Sequence, residues 1–318
     1  MKAVAYYKNV LSVIETDKPV PKDNEVLVKV IATTLNILDY NRFEKRLPIK
    51  AATQNNKGKI LGVELSGVVV SCGKNMANFK IGDEVYGKTS GVIPTGAWAE
   101  YAILDKDNVY FKPKELTFEQ AAAIPSSFST ALGAIRRTEI LPGQNVLVYG
   151  ASGGVGQYIV QIAQAQGGIV TGVCSTRNVK MAHKIGAKYV IDYKTEDFTQ
   201  VKRKFDVVFG INGCNPTKKY KKVMKSKSTY VGVGNTQQGI LAMISSLFNV
   251  FTSKKVSFYT EPLMPVKDYL PYANELVKQG ELTPFIDKVY AIENIAEAIK
   301  YVITRHVQGK VVIDVDFD

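Results

Sequence analysis

Residues 145 to 157 read Asn-Val-Leu-Val-Tyr-Gly-Ala-Ser-Gly-Gly-Val-Gly-Gln, an apolar run that breaks into four glycines and resumes as the amphipathic segment Tyr158 to Gln166. This pattern predicts a buried parallel strand over Val146 to Tyr149, a tight turn at Gly150 and Gly153, and a helix that Gly156 brings close to the sheet. A helix so placed aims its first N–H groups at a diphosphate. The glycines fall at GxxGxxG spacing rather than GxGxxG. A merely structural turn is the alternative, and the strand before and helix after weigh against it.

About twenty residues beyond such a turn, a chain that prefers NADH places an Asp or Glu to accept from the ribose hydroxyls. None stands here: the apolar run Ile169 to Cys174 ends in Ser175-Thr176-Arg177-Asn178, with Lys180 following. Two hydroxyls, a guanidinium and an amide suit a 2′-phosphate, which a carboxylate would repel. NADPH is therefore the expected cofactor. The alternative is that Arg177 sits in a solvated loop.

A chain of 318 residues is long enough for two cores, and 22% charged with 46% hydrophobic residues describes an ordinary globular protein. The net charge of +12 is less ordinary. Most of the basic residues are lysines spread along the chain, densest from Lys218 to Lys227. They predict a generally basic surface that also draws in an anionic cofactor, with no stable nucleic-acid or membrane partner. Weak association with acidic membranes or RNA is the alternative. Cys72, Cys174 and Cys214 are odd in number and far apart, which predicts free thiols in a reducing compartment. Met1 leads directly into the strand-like Lys2 to Tyr7, so no targeting segment is expected. The longest apolar stretch, Ile240 to Phe251, is too short to span a bilayer. A cytoplasmic location is the expectation.

From Met1 to about Lys112, short alternating runs such as Glu25 to Thr33, Val63 to Ser71 and Asp83 to Gly87 predict an antiparallel, barrel-like β domain. Thr117, Glu119 and Gln120 begin a helix that Pro125 interrupts and Thr130 to Arg137 continues. Strand and helix then alternate through Tyr189 to Ile191, Val207 to Phe209, Tyr220 to Met224 and Tyr230 to Val233, as in a parallel sheet covered on both faces. Helices are expected over Val266 to Gln279 and Ile292 to Thr304. A final strand, Val311 to Val315, is expected to fold back onto the β domain.

These segments together resemble the zinc-free quinone oxidoreductase branch of the medium-chain dehydrogenase/reductase superfamily. The resemblance rests on Asn36-Ile37-Leu38-Asp39, the Gly62 to Val69 stretch, Ile81-Gly82-Asp83-Glu84-Val85-Tyr86-Gly87 and Gly96-Ala97-Trp98-Ala99-Glu100-Tyr101. The glycine turn, Cys174 to Asn178, Ile191-Asp192-Tyr193 and Gly309-Lys310-Val311-Val312-Ile313 complete it. It implies an α/β chain with a GroES-like β-barrel catalytic domain over 1–120, completed by 263–318. A Rossmann domain, a doubly wound parallel sheet, is implied over 121–262, with the active cleft between the two. It also implies NADPH-dependent reduction of quinones or of the double bond of α,β-unsaturated carbonyls, often by a homodimer joined at the Rossmann sheet edge near Val256 to Thr260. The zinc enzymes of the superfamily would carry His at Val63 and Cys near Asn36, and both are missing here. The chain holds only His183 and His306, so no metal is expected.

By the same resemblance, Ser152, Gly153, Gly154, Val155 and Gly156 hold the pyrophosphate, while Ser175, Thr176, Arg177 and Asn178 read the 2′-phosphate. Tyr193 borders the adenosine, Thr130 lines the nicotinamide pocket, and Val233 in the Gly232-Val233-Gly234 turn meets the carboxamide. Gly309 and Lys310 make a late cofactor contact. Asn36 is the candidate to orient substrate or nicotinamide through its amide, with an Asx turn as the alternative. Tyr40 is the second catalytic candidate, as pocket wall or proton donor. Relatives often carry Lys at Asn41 and Asp after the Val207 to Phe209 strand; here those positions are Asn41 and Gly210. A different class of reading also stands: an NADPH-binding protein with little turnover, acting as a sensor or as an RNA- or membrane-associated factor.

Overall fold

The computed structural model describes residues 1–7, 10–36, 59–89, 96–211, 215–234, 253–259 and 264–317. Tyr40, Asn41 and Cys214 lie outside the described residues. The chain divides into two units. One comprises Met1–Ser126, Pro265–Lys278 and Ile286–Asp318; the other comprises Ser127–Met264 and Gln279–Phe285.

The first unit is built on strands. β1 (Lys2–Tyr7), β2 (Val10–Glu15) and β4 (Lys59–Ile60) form a small antiparallel sheet. A larger sheet runs β15 (Ile286–Ala291), β16 (Lys310–Asp314), β3 (Glu25–Leu35), β5 (Glu64–Cys72), β6 (Glu84–Lys88) and β8 (Val109–Phe111), with β7 (Tyr101–Asp105) also on β3. β3 is buried on both faces over most of its length: Val26, Leu27, Val28 and Val30 are buried, and Lys29 is the one exposed residue of the strand. Val26, Val28 and Val30 join Leu65, Val69, Val85, Leu104 and Trp98 in one core, which Ile295, Ile299, Val311 and Ile313 complete from the far end of the chain. The final segment therefore does return to the β domain, as strand β16 antiparallel to β3. The sheet is not wholly antiparallel, because β15 pairs parallel to β16.

Short helices follow the capping signals. α1 (Phe118–Ala122) starts at Thr117, whose hydroxyl accepts from the Gln120 N–H while the Gln120 side chain returns to the Thr117 N–H. Pro125 does not sit inside a helix. It opens α2 (Pro125–Ile135), where a missing N–H costs nothing. The helix expected over Val266 to Gln279 is split into a 3-10 turn, Val266–Asp268, and α6 (Leu270–Lys278). Tyr269, at φ −141°, breaks the spiral between them. Ile292–Asn294 is likewise a 3-10 turn before α7 (Ile295–Ile303).

The second unit is a six-stranded parallel sheet in the order β11 (Tyr189–Asp192), β10 (Ile169–Cys174), β9 (Asn145–Tyr149), β12 (Phe205–Ile211), β13 (Met224–Val233), β14 (Lys254–Tyr259). In chain order this is 3-2-1-4-5-6, the doubly wound dinucleotide topology, which reverses direction between β9 and β12. α3 (Gly156–Ala165), α4 (Val179–Lys184) and α5 (Thr217–Lys221) lie between strands in sequence. The expected element Tyr220 to Met224 is instead the end of α5 and the start of β13, because Met224 pairs with Phe205 and draws the strand back. α3 is buried nearly all round: Tyr158, Ile159, Val160, Ile162 and Ala163 are all inaccessible. Its glutamines carry the polar load. Gln157 Oε1 accepts from the Phe285 N–H at 2.7 Å and Gln161 Oε1 from the Thr283 N–H at 2.7 Å, which holds the 279–285 segment in this unit. Among the described residues no helix is long and apolar enough to cross a membrane.

Candidate functional site

The glycine turn leaves the sheet at the carboxyl end of β9, where the strand order reverses. Gly150 takes φ 86°, open to glycine without strain, and its N–H donates to Val173 O of the neighbouring strand at 3.0 Å. A Cβ on Gly156 would run into the Gly150 carbonyl oxygen, so α3 approaches the strand closely only because this residue has no side chain. A Cβ on Gly153 would meet nothing nearer than that same oxygen at 3.6 Å. Packing thus fixes Gly156 and leaves the identity of Gly153 to something other than packing. The first turn of α3 contains no acidic residue, and its N-cap, Val155, makes no side-chain cap. That donor-rich terminus fits a diphosphate.

The loop after β10 is fastened to the turn. Asn178, buried, donates from Nδ2 to Ser152 Oγ at 2.7 Å, and Ser152 is itself 7% exposed. Thr176 hydrogen-bonds through its hydroxyl and its backbone N–H to the Asp192 carboxylate, which these donors and nearby Lys194 hold below the usual carboxylate range. Ser175 is half-buried, whereas Thr176 and Arg177 are exposed. The four residues expected to read one phosphate therefore differ in setting: Asn178 grips the glycine turn, Thr176 grips β11, and Arg177 is exposed. Tyr193 stacks on Tyr149 with centroids 6.4 Å apart and stays 42% exposed, so one ring face is supported and the side chain is open to solvent. Val233 is buried at the end of β13, directly before Gly234 at φ 92°. Thr130 lies buried in α2.

In the first unit, three strand ends converge. β16 pairs with β3 so that Val311 faces Leu35, and β3 pairs with β5 so that Thr33 faces Leu65. One step further along each register, Lys310 stands against Asn36 and Glu64 against Thr34. Gly309, at φ 69°, turns the chain into β16 just before this point. The side chains close a network. Lys310 Nζ donates to Glu64 Oε1 at 2.8 Å and to Asn36 Oδ1 at 2.7 Å, and Asn36 Nδ2 donates to Glu64 Oε1 at 2.9 Å and more weakly to Thr34 Oγ1 at 3.4 Å. Thr34 donates its hydroxyl to the same carboxylate. The other oxygen, Glu64 Oε2, accepts from the Ser126 N–H at 2.6 Å, in the first turn of α2. Glu64 and Lys310 expose 0% and 3% of their side chains. Burial pushes the Glu64 carboxyl up, but the Lys310 ammonium and the Lys310, Thr34 and Asn36 hydrogen bonds outweigh it and hold the group ionised.

Asn36 was legible as a candidate from its motif; Glu64, which organises it, was not singled out. A signal existed in the lone carboxylate of the run Gly62 to Val70 and the lone ammonium that opens the run Lys310 to Ile313. Charges isolated in strands that are otherwise buried must find each other. Among the described residues no three His, Cys, Asp or Glu side chains gather as a metal-ligating group.

The comparisons match this architecture. Residues 22–114 match the alcohol dehydrogenase GroES-like domain, and residues 185–313 match the zinc-binding dehydrogenase family. A 2-methylene-furan-3-one reductase of Solanum lycopersicum is 32% identical over 94% of this chain and 74% of its own length. An NADPH-dependent alkenal/one oxidoreductase, chloroplastic, of Arabidopsis thaliana is 30% identical over 94% of this chain and 75% of its own. The solved quinone oxidoreductase from Coxiella burnetii superposes with a TM-score of 0.88 at 28% identity, covering 99% of both chains. The chain belongs to the medium-chain dehydrogenase/reductase superfamily, in its quinone oxidoreductase branch.

Proposed function

We propose that the protein is an NADPH-dependent oxidoreductase that delivers hydride, without zinc, to a quinone or to the C=C bond of an α,β-unsaturated carbonyl. The observation that carries the reading is the glycine turn at the β9–β12 reversal, whose closed Gly156 packing and uncapped helix start leave a diphosphate cradle. The relatives named as alkenal/one and quinone oxidoreductases support the substrate class.

NADPH, when bound, supplies the hydride. The chain's own residues then have separable tasks. Ser152, Gly153, Gly154, Val155 and Gly156 hold the pyrophosphate, and Ser175, Thr176 and Arg177 present hydroxyls and positive charge to the 2′-phosphate. Asn178 keeps that loop and the turn in one geometry through Ser152. Tyr193, Thr130, Val233 and Gly309 border the rest of the cofactor. Asn36 orients a carbonyl oxygen through Nδ2, giving up its long bond to Thr34, and so steadies the charge that grows there during transfer. Lys310 positions Asn36, because its ammonium is committed to Glu64 and Asn36.

Zinc fits poorly here. An ammonium beside Asn36 and Glu64 repels a dication, and Val63 replaces the imidazole that the metal enzymes use. A homodimer joined along β14, the terminal described strand of its sheet, and a cytoplasmic setting belong to the same reading. The test is a steady-state screen of quinones, enones and reactive aldehydes with NADPH and NADH in parallel. Absence of NADPH oxidation against every acceptor would leave a binding protein without turnover.

A further inference from the structure

The positive charge of this chain is gathered at one place. Residues 202–227 together with 254 and 255 contain eleven Lys and Arg against a single carboxylate, Asp206, a net +10 out of the chain's +12. The fold brings Lys202, Arg203, Lys204, Lys222, Lys225, Lys227, Lys254 and Lys255 together at the amino ends of β12, β13 and β14, while Lys218 and Lys219 flank Tyr220, whose ring lies 5.9 Å from that of Tyr149 nearer the carboxyl ends. Lys204 Nζ donates to Lys222 O at 2.8 Å, Lys254 Nζ to Lys221 O at 2.7 Å, and Lys225 Nζ reaches Asp206 at 2.8 Å. Lys204 and Lys254 thereby satisfy carbonyls at the end of α5, an ordinary structural use. Asp197 approaches Lys219, and Arg203 lies 3.6 Å over the ring of Tyr189. Lys202, Lys222, Lys227 and Lys255 are exposed around them.

An anionic cofactor does not account for this face. The glycine turn and the loop after β10 leave the carboxyl ends of the same sheet, and β12 alone, Phe205 to Ile211, is roughly 20 Å long at about 3.3 Å per residue. At that distance most of the attraction is screened at physiological salt. Crowding so many like charges also costs stability by self-repulsion. The face therefore fits a second anion, broad enough to meet many lysines at once.

We infer that the amino-terminal edge of the parallel sheet, around Lys202, Lys222 and Lys255, is a reversible docking face for an anionic lipid bilayer. The side-chain chemistry favours headgroups over nucleic acid. Ten of the eleven cations are lysines, point charges on flexible stems, and the single arginine is spent on Tyr189. Protein surfaces that hold single-stranded nucleic acid interleave open aromatic rings on which bases stack; here Tyr220 is wholly buried, and one face of the exposed Tyr189 ring is covered by Arg203. The composition alone pointed to a diffuse basic surface, and the fold concentrates it.

The experiment is vesicle co-sedimentation of the full chain, using phosphatidylcholine alone and phosphatidylcholine with about 30% phosphatidylserine, from about 0.05 to 0.5 M salt. Binding is expected only to the anionic vesicles and is lost at the high-salt end. Lys202→Gln/Lys222→Gln/Lys255→Gln should weaken partition about a hundredfold, on the order of fivefold per lysine. The charge-matched control Lys74→Gln/Lys80→Gln/Lys106→Gln should weaken it little. NADPH titration and the thermal midpoint, unchanged in both triples, report that each folds. Equal loss in the two triples, or no salt-sensitive partition, overturns the inference. So does homopolymer RNA that outcompetes the vesicles, which would assign the face to nucleic acid.

Discussion

Lys310 Nζ lies 2.8 Å from Glu64 Oε1, the two side chains are shut off from solvent, and 246 positions of sequence separate them. Such a pair is weak evidence for net stability, because both charges were taken out of water to make it. Breaking it is costly nonetheless. Lys310→Met should lose roughly 3–5 kcal/mol in urea unfolding, and Glu64→Gln/Lys310→Met, which leaves no lone charge, should recover most of that. If the pair serves Asn36, the double variant stays slow in NADPH oxidation after its stability returns.

The same carboxylate sets an acid limit. Its pKa is lowered in the folded state relative to the ordinary 4.5, so the stability it contributes is fully present above that value and is lost as pH falls through the folded value. Between pH of about 5 and 3 the wild type should therefore lose more stability than Glu64→Gln does. Equal acid sensitivity in paired denaturation curves would place the acid transition in other groups.

Two glycines of the turn separate packing from binding. Gly156→Ala meets the Gly150 carbonyl, and a fall of about 1–3 kcal/mol in stability is expected. Gly153→Ala has room in the fold, so its melting temperature should hold while NADPH affinity drops at least about tenfold as the methyl keeps phosphate away from the backbone. Fluorescence titration beside thermal melts reads both.

Arg177 is exposed and stands alone as a full positive charge among residues 175–178. Arg177→Ala should cost NADPH about tenfold to a hundredfold in kcat/KM, the loss of one charge-assisted hydrogen bond, and leave NADH nearly unchanged. A parallel loss with both cofactors would mean that the residue supports the loop rather than the phosphate.

The parallel sheet was readable because its signals are local. Ile169 to Cys174 is one apolar run bounded by glycines and polar residues, and it forms a strand with those same limits. Asn36 and the glycine turn were readable from short motifs. The partners of Asn36 were not, since they depend on a register shared by β16, β3 and β5, which no local window contains. Asn178 shows the same limit at shorter range: its type suggested a phosphate donor, and only the fold shows it turned onto Ser152. Likewise, Lys254 and Lys204 are distant in sequence, so the charge they share around α5 reads as scattered until the strands are aligned.

The strand that brings Lys310 to Asn36 also gives the molecule a calendar. Glu64 leaves the ribosome early, but its counter-charge follows 246 residues later, about ten to fifty seconds at ordinary synthesis rates. Throughout that wait β3 has no β16 beside it, and a carboxylate destined for a dry interior remains solvated. The parallel sheet, complete at β14 and closed by residues 279–285, can assemble in the meantime. The half that is translated first is thus the half that finishes last, and the Ala32–Leu35 end of β3, beyond the reach of β7, is the edge that a nascent chain must keep from other strands.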